Sequence, residues 1–160
     1  MKRILLVLGV LVLGAVVAGQ VQAQDNPYLG TWKLNNAKSK SDPTPLPKSM
    51  TRTVTAEGKM VKYSYEGVGA DGSAVAYSFS VAYDGKDYPV TGAGMPGGAD
   101  SIAIKRVGTH NATAVLKKGG KEVGTSASEV SKDGKSTHVK GSGKTLEGKA
   151  FSSDLNFDKQ

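Results

Sequence analysis

Two glycine-rich segments are the first places where this sequence could do chemistry, because glycine loops can bind phosphates. Gly92–Gly97, Gly-Ala-Gly-Met-Pro-Gly, has the spacing of a dinucleotide-binding fingerprint. That fingerprint works only where a strand leads into it and a helix starts within it, whereas residues 101–104 here predict a strand. Residues 141–145 resemble the end of a phosphate loop, but His138 stands where that pattern requires a glycine. We therefore interpret both segments as loops without a nucleotide.

Metal and acid–base chemistry have few candidate residues. The chain has two histidines, His110 and His138, and no cysteine. A catalytic zinc site takes three protein ligands, mostly histidines, so we expect no metal and no cofactor. No serine lies in a Gly-x-Ser-x-Gly elbow. The sequence predicts a non-enzymatic protein, with a small-barrel hydrolase or isomerase as the alternative. Loose acid–base candidates, to which we assign no role, are Glu66, Asp87, Glu129 and Asp154.

Aromatic residues are better candidates, for binding rather than for catalysis. Between Val75 and Tyr83, bulky side chains alternate with small ones and share one face of a strand. That face must turn towards a core. The sequence leaves open whether its rings line an apolar pocket with phenol hydroxyls as anchors, or pack as a filled core. The candidate pocket-lining residues are Tyr63, Tyr65, Tyr77, Phe79, Tyr83 and Phe151.

The elements that would position these residues are short strands. Alternation with period two recurs along the chain, and no window has a convincing helical period. Turn dipeptides such as Asp71-Gly72, Asp84-Gly85, Gly119-Gly120 and Asp133-Gly134 predict hairpins. The predicted strands are 29–35, 49–56, 60–67, 73–83, 86–91, 100–107, 110–118, 121–131, 136–142 and 149–158. They predict an all-β fold, a single antiparallel up-and-down barrel of about 8–10 strands, because closure covers the apolar face and removes edges.

Two segments interrupt the strands. Residues 36–48 contain Pro43, Pro45 and Pro47, which are incompatible with a central strand. We expect an extended loop there, a candidate lid over one barrel mouth. Gly92–Gly98 is predicted to be a second, flexible loop.

The N-terminal residues predict export. Lys2 and Arg3 precede an uncharged apolar run, Ile4–Ala18, which is shorter than the roughly 20 residues needed to cross a bilayer. A small-x-small triplet follows at 21–23. This pattern is typical of a secretory signal peptide, residues 1–23, cleaved after Ala23 to leave one domain, 24–160. We expect a bacterial protein of the periplasm or the medium, without a membrane segment in its mature form.

The charge of the chain favours a soluble surface over a nucleic-acid footprint. The formal net charge is +7, and the basic residues are almost all lysines scattered through turns and alternate strand positions. Arginine, whose guanidinium group binds phosphates and base edges through paired N–H donors, is rare in this chain. We therefore expect no nucleic-acid partner. An envelope component or an acidic protein remains a possible partner for the lysines.

The start of the predicted domain resembles the lipocalin superfamily, whose first strand carries Gly-x-Trp. Here Leu29 precedes Gly30-Thr31-Trp32, and the likeness to bacterial secreted lipocalin-like domains covers about residues 28–158. The resemblance implies a calycin-type barrel in which Gly30 and Trp32 are the structural signature. It also implies that Trp32 closes one barrel end, often beneath an arginine of the last strand. No arginine follows Arg106, so that cation is expected to be missing or replaced by Lys149.

Together these observations predict an exported, non-enzymatic binding protein. The ligand would be a small apolar or amphipathic molecule in the barrel interior. The alternative is an envelope-associated structural or interaction module with a filled core, acting through its lysine-rich outer surface.

Overall fold

The computed structural model describes residues 26–160 and consists almost entirely of antiparallel strands. The predicted signal peptide, 1–23, lies outside the described residues. The strands are β1 (Gly30–Leu34), β2 (Lys40–Asp42), β3 (Ser49–Glu57), β4 (Met60–Val68), β5 (Ala74–Val81), β6 (Asp84–Pro89), β7 (Thr91–Ala93), β8 (Ser101–Arg106), β9 (Asn111–Lys118), β10 (Lys121–Val130), β11 (Ser136–Lys144) and β12 (Ala150–Lys159).

These strands form one nearly closed barrel. Their order around it is β6-β8-β9-β10-β11-β12-β1-β3-β4-β5-β7, so β3–β5 and β8–β12 pair consecutively, whereas β1, β2, β6 and β7 pair only with strands that are not next to them in sequence. Pairing of β1 with β12 joins the first and last strands of the described residues. One seam stays open, between β6 and β7. The predicted all-β, up-and-down barrel is confirmed, with twelve strands among the described residues instead of about 8–10.

Alternation and glycine turns account for most of these elements. On β5, the bulky residues Val75, Tyr77, Phe79 and Val81 are buried, as predicted. Gly119-Gly120 makes the two-residue turn between β9 and β10, with φ of 55° and 76°. Only glycine takes up such a pair of positive angles without steric cost.

The predicted hairpin at Asp84-Gly85 is wrong. β5 ends at Val81, and β6 pairs with β8 instead of β5. Positive φ at Tyr83 (57°) and Gly85 (77°) directs the chain away from β5. The Asp84 carboxylate accepts a hydrogen bond from the Lys86 N–H at 3.0 Å, which holds the local turn. At this turn the chain therefore forms one side of the open seam between β6 and β7, and not a hairpin.

The two interrupting segments also differ from expectation. Within 36–48, β2 pairs with residues 152–154 of β12, next to the part of β12 that pairs with β1. This segment is therefore partly barrel wall. The segment predicted as the second loop contributes β7, which pairs with β5, and a 3-10 turn, Pro96–Gly98.

No residue in 26–160 belongs to a helix of the length and apolarity that a membrane crossing requires.

Candidate functional site

The barrel interior has two unlike walls. Strands β4 and β5 supply an aromatic wall, where Tyr65 stacks on Tyr77 with ring centroids 4.5 Å apart. Strands β9–β12 supply a wall of small side chains. Their cross-strand register aligns Ala114, Ser126, Gly141 and Ser153 in one row. Small residues on one wall leave room for the rings of the other.

One end of the barrel is filled and closed around Trp32. This indole is 0% exposed, and its Nε1–H donates to the Tyr28 carbonyl at 2.8 Å. The Tyr28 hydroxyl is 3.0 Å from the carbonyl oxygens of both His110 and Ser128. These hydrogen bonds hold the segment that precedes β1 across the end of the barrel. We call this region, from Trp32 and Tyr28 to Tyr63, the tryptophan end.

Arg106 packs against two tyrosine rings at this end of the barrel. The Arg106 guanidinium lies 5.3 Å from the Tyr28 ring centroid and 4.7 Å from that of Tyr83. Its terminal nitrogens donate to the Asn26 side-chain oxygen and the Thr109 carbonyl. Arg106 therefore ties the segment before β1 to β8, while its Nε is buried without a hydrogen-bond partner among residues 26–160.

The cation over Trp32 comes from β3, so the expectation of Lys149 or no cation is wrong. Arg52 Cζ lies 5.4 Å from the Trp32 ring centroid and 4.8 Å from that of Phe157. Lys159 Nζ also approaches the indole, at 5.0 Å. The register places Arg52 directly opposite Trp32 on the neighbouring strand. Stacking on two rings stabilises a desolvated guanidinium by about 2 kcal/mol.

Stacking covers the faces of Arg52 and leaves one edge unpaired. Arg52 is 1% exposed, and its Nε and Nη2 have no hydrogen-bond partner within residues 26–160. The ion pairs found in that range do not include Arg52 either. The Thr137 hydroxyl, 1% exposed, is likewise unpartnered, and Thr137 is the cross-strand neighbour of Phe157. Burying a charge without a partner costs several kcal/mol, so this cluster calls for an acceptor.

The neighbouring tyrosines do not supply a negative charge. Burial raises the pKa of Tyr63 and of Tyr77 well above 10.0, and the lowering effect of Arg52 is smaller. Both phenols are therefore neutral near neutral pH, and neither is a counter-ion for Arg52.

The inner face of β11 and β12 is less deeply buried towards the end of the barrel opposite this cluster. On the inner face of β11 and β12, the side chains between the cluster and the mouth are neither fully buried nor fully exposed. We call this inner surface the β11–β12 trough. It consists of Thr137, Val139, Gly141, Ser153, Leu155 and Phe157. From Phe157 to Ser153 it is about 13 Å long, at about 3.3 Å per strand residue.

Phe151 stands at the mouth of the trough. An added Cβ on Gly143 would lie 2.7 Å from the Phe151 ring, and one on Gly124 would lie 3.1 Å away. Across the mouth, the position of such an atom on Gly97 is 3.3 Å from the same ring. The glycines thus form the slot that holds this ring, and the 3-10 turn at Gly97 covers part of the mouth.

The structure separates the predicted pocket residues into three groups. Tyr63, Phe79 and Tyr83 pack together near the tryptophan end, where the Tyr63 and Tyr83 hydroxyls are hydrogen-bonded. Tyr65 and Tyr77 face the middle of the barrel, and Phe151 lies at the mouth. The filled-core alternative describes the tryptophan end, and a pocket in the rest of the interior stays a prediction.

Sequence reasoning missed Arg52 and Thr137. Arg52 has the same parity in β3 as the buried Met50 and Val54, so its inward direction was readable from the alternation. Its position against Trp32 required the pairing of β1 with β3. Thr137 is similarly an inward residue of β11, but nothing in its type indicates a role.

The loose acidic candidates are not brought together. Glu66 and Glu129 are exposed on different strands. Asp87 pairs with Lys117 at 2.7 Å, and Asp154 is hydrogen-bonded to His138 on the outer wall. Two hollows, of about 310 and 440 Å³, also lie on the outer wall, over β3–β4 and β9–β11.

Comparison with known proteins adds a likeness of fold. No family model matches the sequence, and no curated protein matches it significantly. Zebrafish ileal bile acid-binding protein, complexed with cholic acid, superposes with a TM-score of 0.49 at 11% identity, covering 84% of this chain and 99% of that one. Apocrustacyanin C2 gives 0.44 at 13% (86% and 63% covered), and lobster apocrustacyanin A1 gives 0.43 at 13% (84% and 62%). At such identities and TM-scores the likeness carries nothing about what this chain binds.

Proposed function

We propose that this protein binds a small apolar or amphipathic molecule in the β11–β12 trough and catalyses no reaction on it. We further propose that it acts in the periplasm or the medium, after removal of residues 1–23. The observation that carries the binding proposal is the trough, where Val139, Gly141, Ser153 and Leu155 stay partly exposed although they lie on the inner face. A barrel that served only as a scaffold would gain stability by filling this space.

The chemistry of the trough fits an amphipathic guest. Leu155 and Val139 offer apolar contact, and the Tyr65–Tyr77 pair supplies an aromatic surface on the opposite wall. Burial of ligand surface contributes about 25 cal/mol per Å². A small molecule that fills the trough would therefore gain most of its affinity from apolar contact.

A fluorescent titration tests this proposal. Protein purified from cells expressing the full chain is titrated with N-phenyl-1-naphthylamine, a neutral apolar probe. We expect saturable binding. Ser153→Trp, which fills the trough, should weaken that binding by at least about tenfold, equivalent to about 1.4 kcal/mol.

Ser152→Trp is the matched control, because Ser152 is exposed on the outer face of the same strand. It should bind the probe like the parent protein, and circular dichroism should show both variants folded. Absence of binding, or equal effects of the two substitutions, would contradict the proposal. Absence of binding would favour the interaction module with a filled core.

A further inference from the structure

One segment crosses the mouth of the barrel and is hydrogen-bonded to the wall at its two ends. We call residues 94–98, between β7 and β8, the mouth strap. On one side it continues from β7, which pairs with β5. On the other side the Asp100 N–H donates to the Lys117 carbonyl of β9 at 2.9 Å. Within the strap, the backbone hydrogen bonds found in the range 26–160 are those of its own 3-10 turn. Its middle is therefore not hydrogen-bonded to any strand of this range.

Apolar contacts hold the strap against the interior. Met95 is partly buried and packs on the apolar core. At one end, a Cβ added to Gly94 would lie 3.2 Å from Val75 on β5. At the other end, a Cβ added to Gly97 would lie 3.1 Å from Val123 on β10. The strap thus spans the mouth between two walls and lies over Val123, which is only 2% exposed.

Glycines at both ends of the strap allow it to turn. Gly94 has a φ of 96° and Gly98 a φ of 64°, values that a residue with a side chain rarely adopts. No described atom lies within 4 Å of the Cβ position of Gly98, so its neighbours do not restrict the chain there. Rotation at these glycines separates apolar contacts, chiefly those of Met95, and breaks no hydrogen bond between the described strands. A segment attached in this way opens far more often than the whole barrel unfolds.

We propose that the mouth strap, held closed by Met95, swings outward as one unit and that this opening admits the ligand to the β11–β12 trough. The statement about the ligand rests on the proposed function, whereas the opening itself does not. In the closed state the strap covers Val123 and contacts the ring of Phe151 at the outer end of the trough. In the open state both side chains become accessible, and a ligand can pass the ring towards Ser153.

Labelling of a buried thiol with the reagent DTNB measures the opening without any ligand. The chain has no cysteine, so Val123→Cys carries the only thiol. Val130→Cys is the matched control, because Val130 lies on the same strand, is 1% exposed and belongs to the tryptophan end. We expect Val123→Cys to react at least about a hundredfold faster in native buffer, because local opening uncovers only its thiol. Val75→Cys, beneath the other end of the strap, repeats the measurement at a second site.

A second substitution shows whether the strap is what covers the thiol. In the Val123→Cys background, Met95→Ala should speed labelling by at least about fivefold, because it removes the apolar contact that favours the closed state. Leu146→Ala is the control, since it shortens an exposed side chain, 56% accessible, in the turn between β11 and β12. It should leave the labelling rate unchanged. Circular dichroism should show every variant folded.

A reversible cross-link tests the role of the strap in ligand entry. The Cβ position of Gly97 lies 3.3 Å from Cβ of Val123, close to the roughly 3.5–4.5 Å of a disulfide. The double variant Gly97→Cys with Val123→Cys is oxidised and mixed with N-phenyl-1-naphthylamine in a stopped-flow instrument. We expect binding to be at least about tenfold slower than in the same variant after reduction, which serves as its own control.

The outcomes separate the opening from the binding function. Equal labelling of Val123→Cys and Val130→Cys would refute the opening, and an unchanged rate in Met95→Ala would refute the strap as its cause. If the parent protein binds the probe and the cross-link does not slow binding, the entry route is refuted while the binding function stands. If the parent protein does not bind the probe, the binding function and the entry route fail together, and the labelling rates still decide whether the strap opens.

Discussion

The tryptophan end and the mouth of the barrel are built on different principles. At the tryptophan end, large side chains are buried; the indole N–H and the Tyr28 hydroxyl are hydrogen-bonded, whereas Nε and Nη2 of Arg52 are not. At the mouth, the inner faces of β11 and β12 carry glycine and serine and keep contact with solvent. The side chains of the tryptophan end pack closely, whereas the small residues at the mouth stay in contact with solvent.

Arg52 belongs to the tryptophan end. Its faces pack on Trp32 and Phe157, and its Nε and Nη2 are buried without a hydrogen-bond partner among residues 26–160. The comparison teaches that close packing and complete hydrogen bonding are separate properties, because the buried Arg52 guanidinium is held by ring stacking while two of its nitrogens stay unpaired.

Replacing one large ring in each region by alanine measures how much the packing of that region contributes to folding stability. Trp32→Ala should lower the free energy of unfolding by about 3–5 kcal/mol, because it empties a fully buried site. Phe151→Ala removes a ring that is only partly buried and should cost about 1 kcal/mol. Guanidinium denaturation followed by far-UV circular dichroism gives both values. Equal losses would mean that the mouth is packed as firmly as the tryptophan end.

Adding a methyl group at a glycine of the mouth tests how closely the neighbouring atoms pack against that glycine. An added Cβ on Gly143 would lie 2.0 Å from the Val123 carbonyl oxygen, so the backbone must move. We expect Gly143→Ala to destabilise the protein by about 1–3 kcal/mol. On the same strand, a Cβ on Gly141 meets nothing closer than the Ser153 hydroxyl at 3.2 Å. Gly141→Ala should therefore change stability by less than about 0.5 kcal/mol, and a similar loss in both variants would contradict this reading of the slot.

The sequence predicted the packed region better than the open one. The alternation in β5 and the paired glycines between β9 and β10 are local signals, and both described the structure correctly. Arg52 could be recognised as inward by its parity, but its partner Trp32 depends on which strands become neighbours. Contacts between distant segments are set by sheet register, which a local pattern does not contain.

The missed elements were short or atypical. β2 and β7 have three residues each, too few for alternation to be recognised. The turn at Asp84-Gly85 failed for another reason. The dipeptide does turn the chain, but the strands on either side pair elsewhere. A turn signal gives a change of direction, and the identity of the partner strand comes from the whole sheet.

The smallest expected effect concerns the outer wall behind the trough. The hydrogen bond from His138 holds the pKa of Asp154 below its usual 3.8, with desolvation acting weakly in the opposite direction. Because the folded pKa is the lower one, the stabilisation is present above pH 3.8 and is lost as the pH falls through the folded value. Asp154 is 41% exposed, so its contribution is less than about 1 kcal/mol.

Asp154→Asn therefore should be slightly less stable than the parent protein at neutral pH and equally stable in strong acid, as measured by urea denaturation across that range. Glu66→Gln, at an exposed outer position without a resolved hydrogen bond, serves as the control and should show no such dependence. A large loss at neutral pH would mean that surface pairs on β12, more than the glycine slot at Phe151, hold the open region together. That result would reverse the view of the mouth as a region stabilised mainly by close backbone packing.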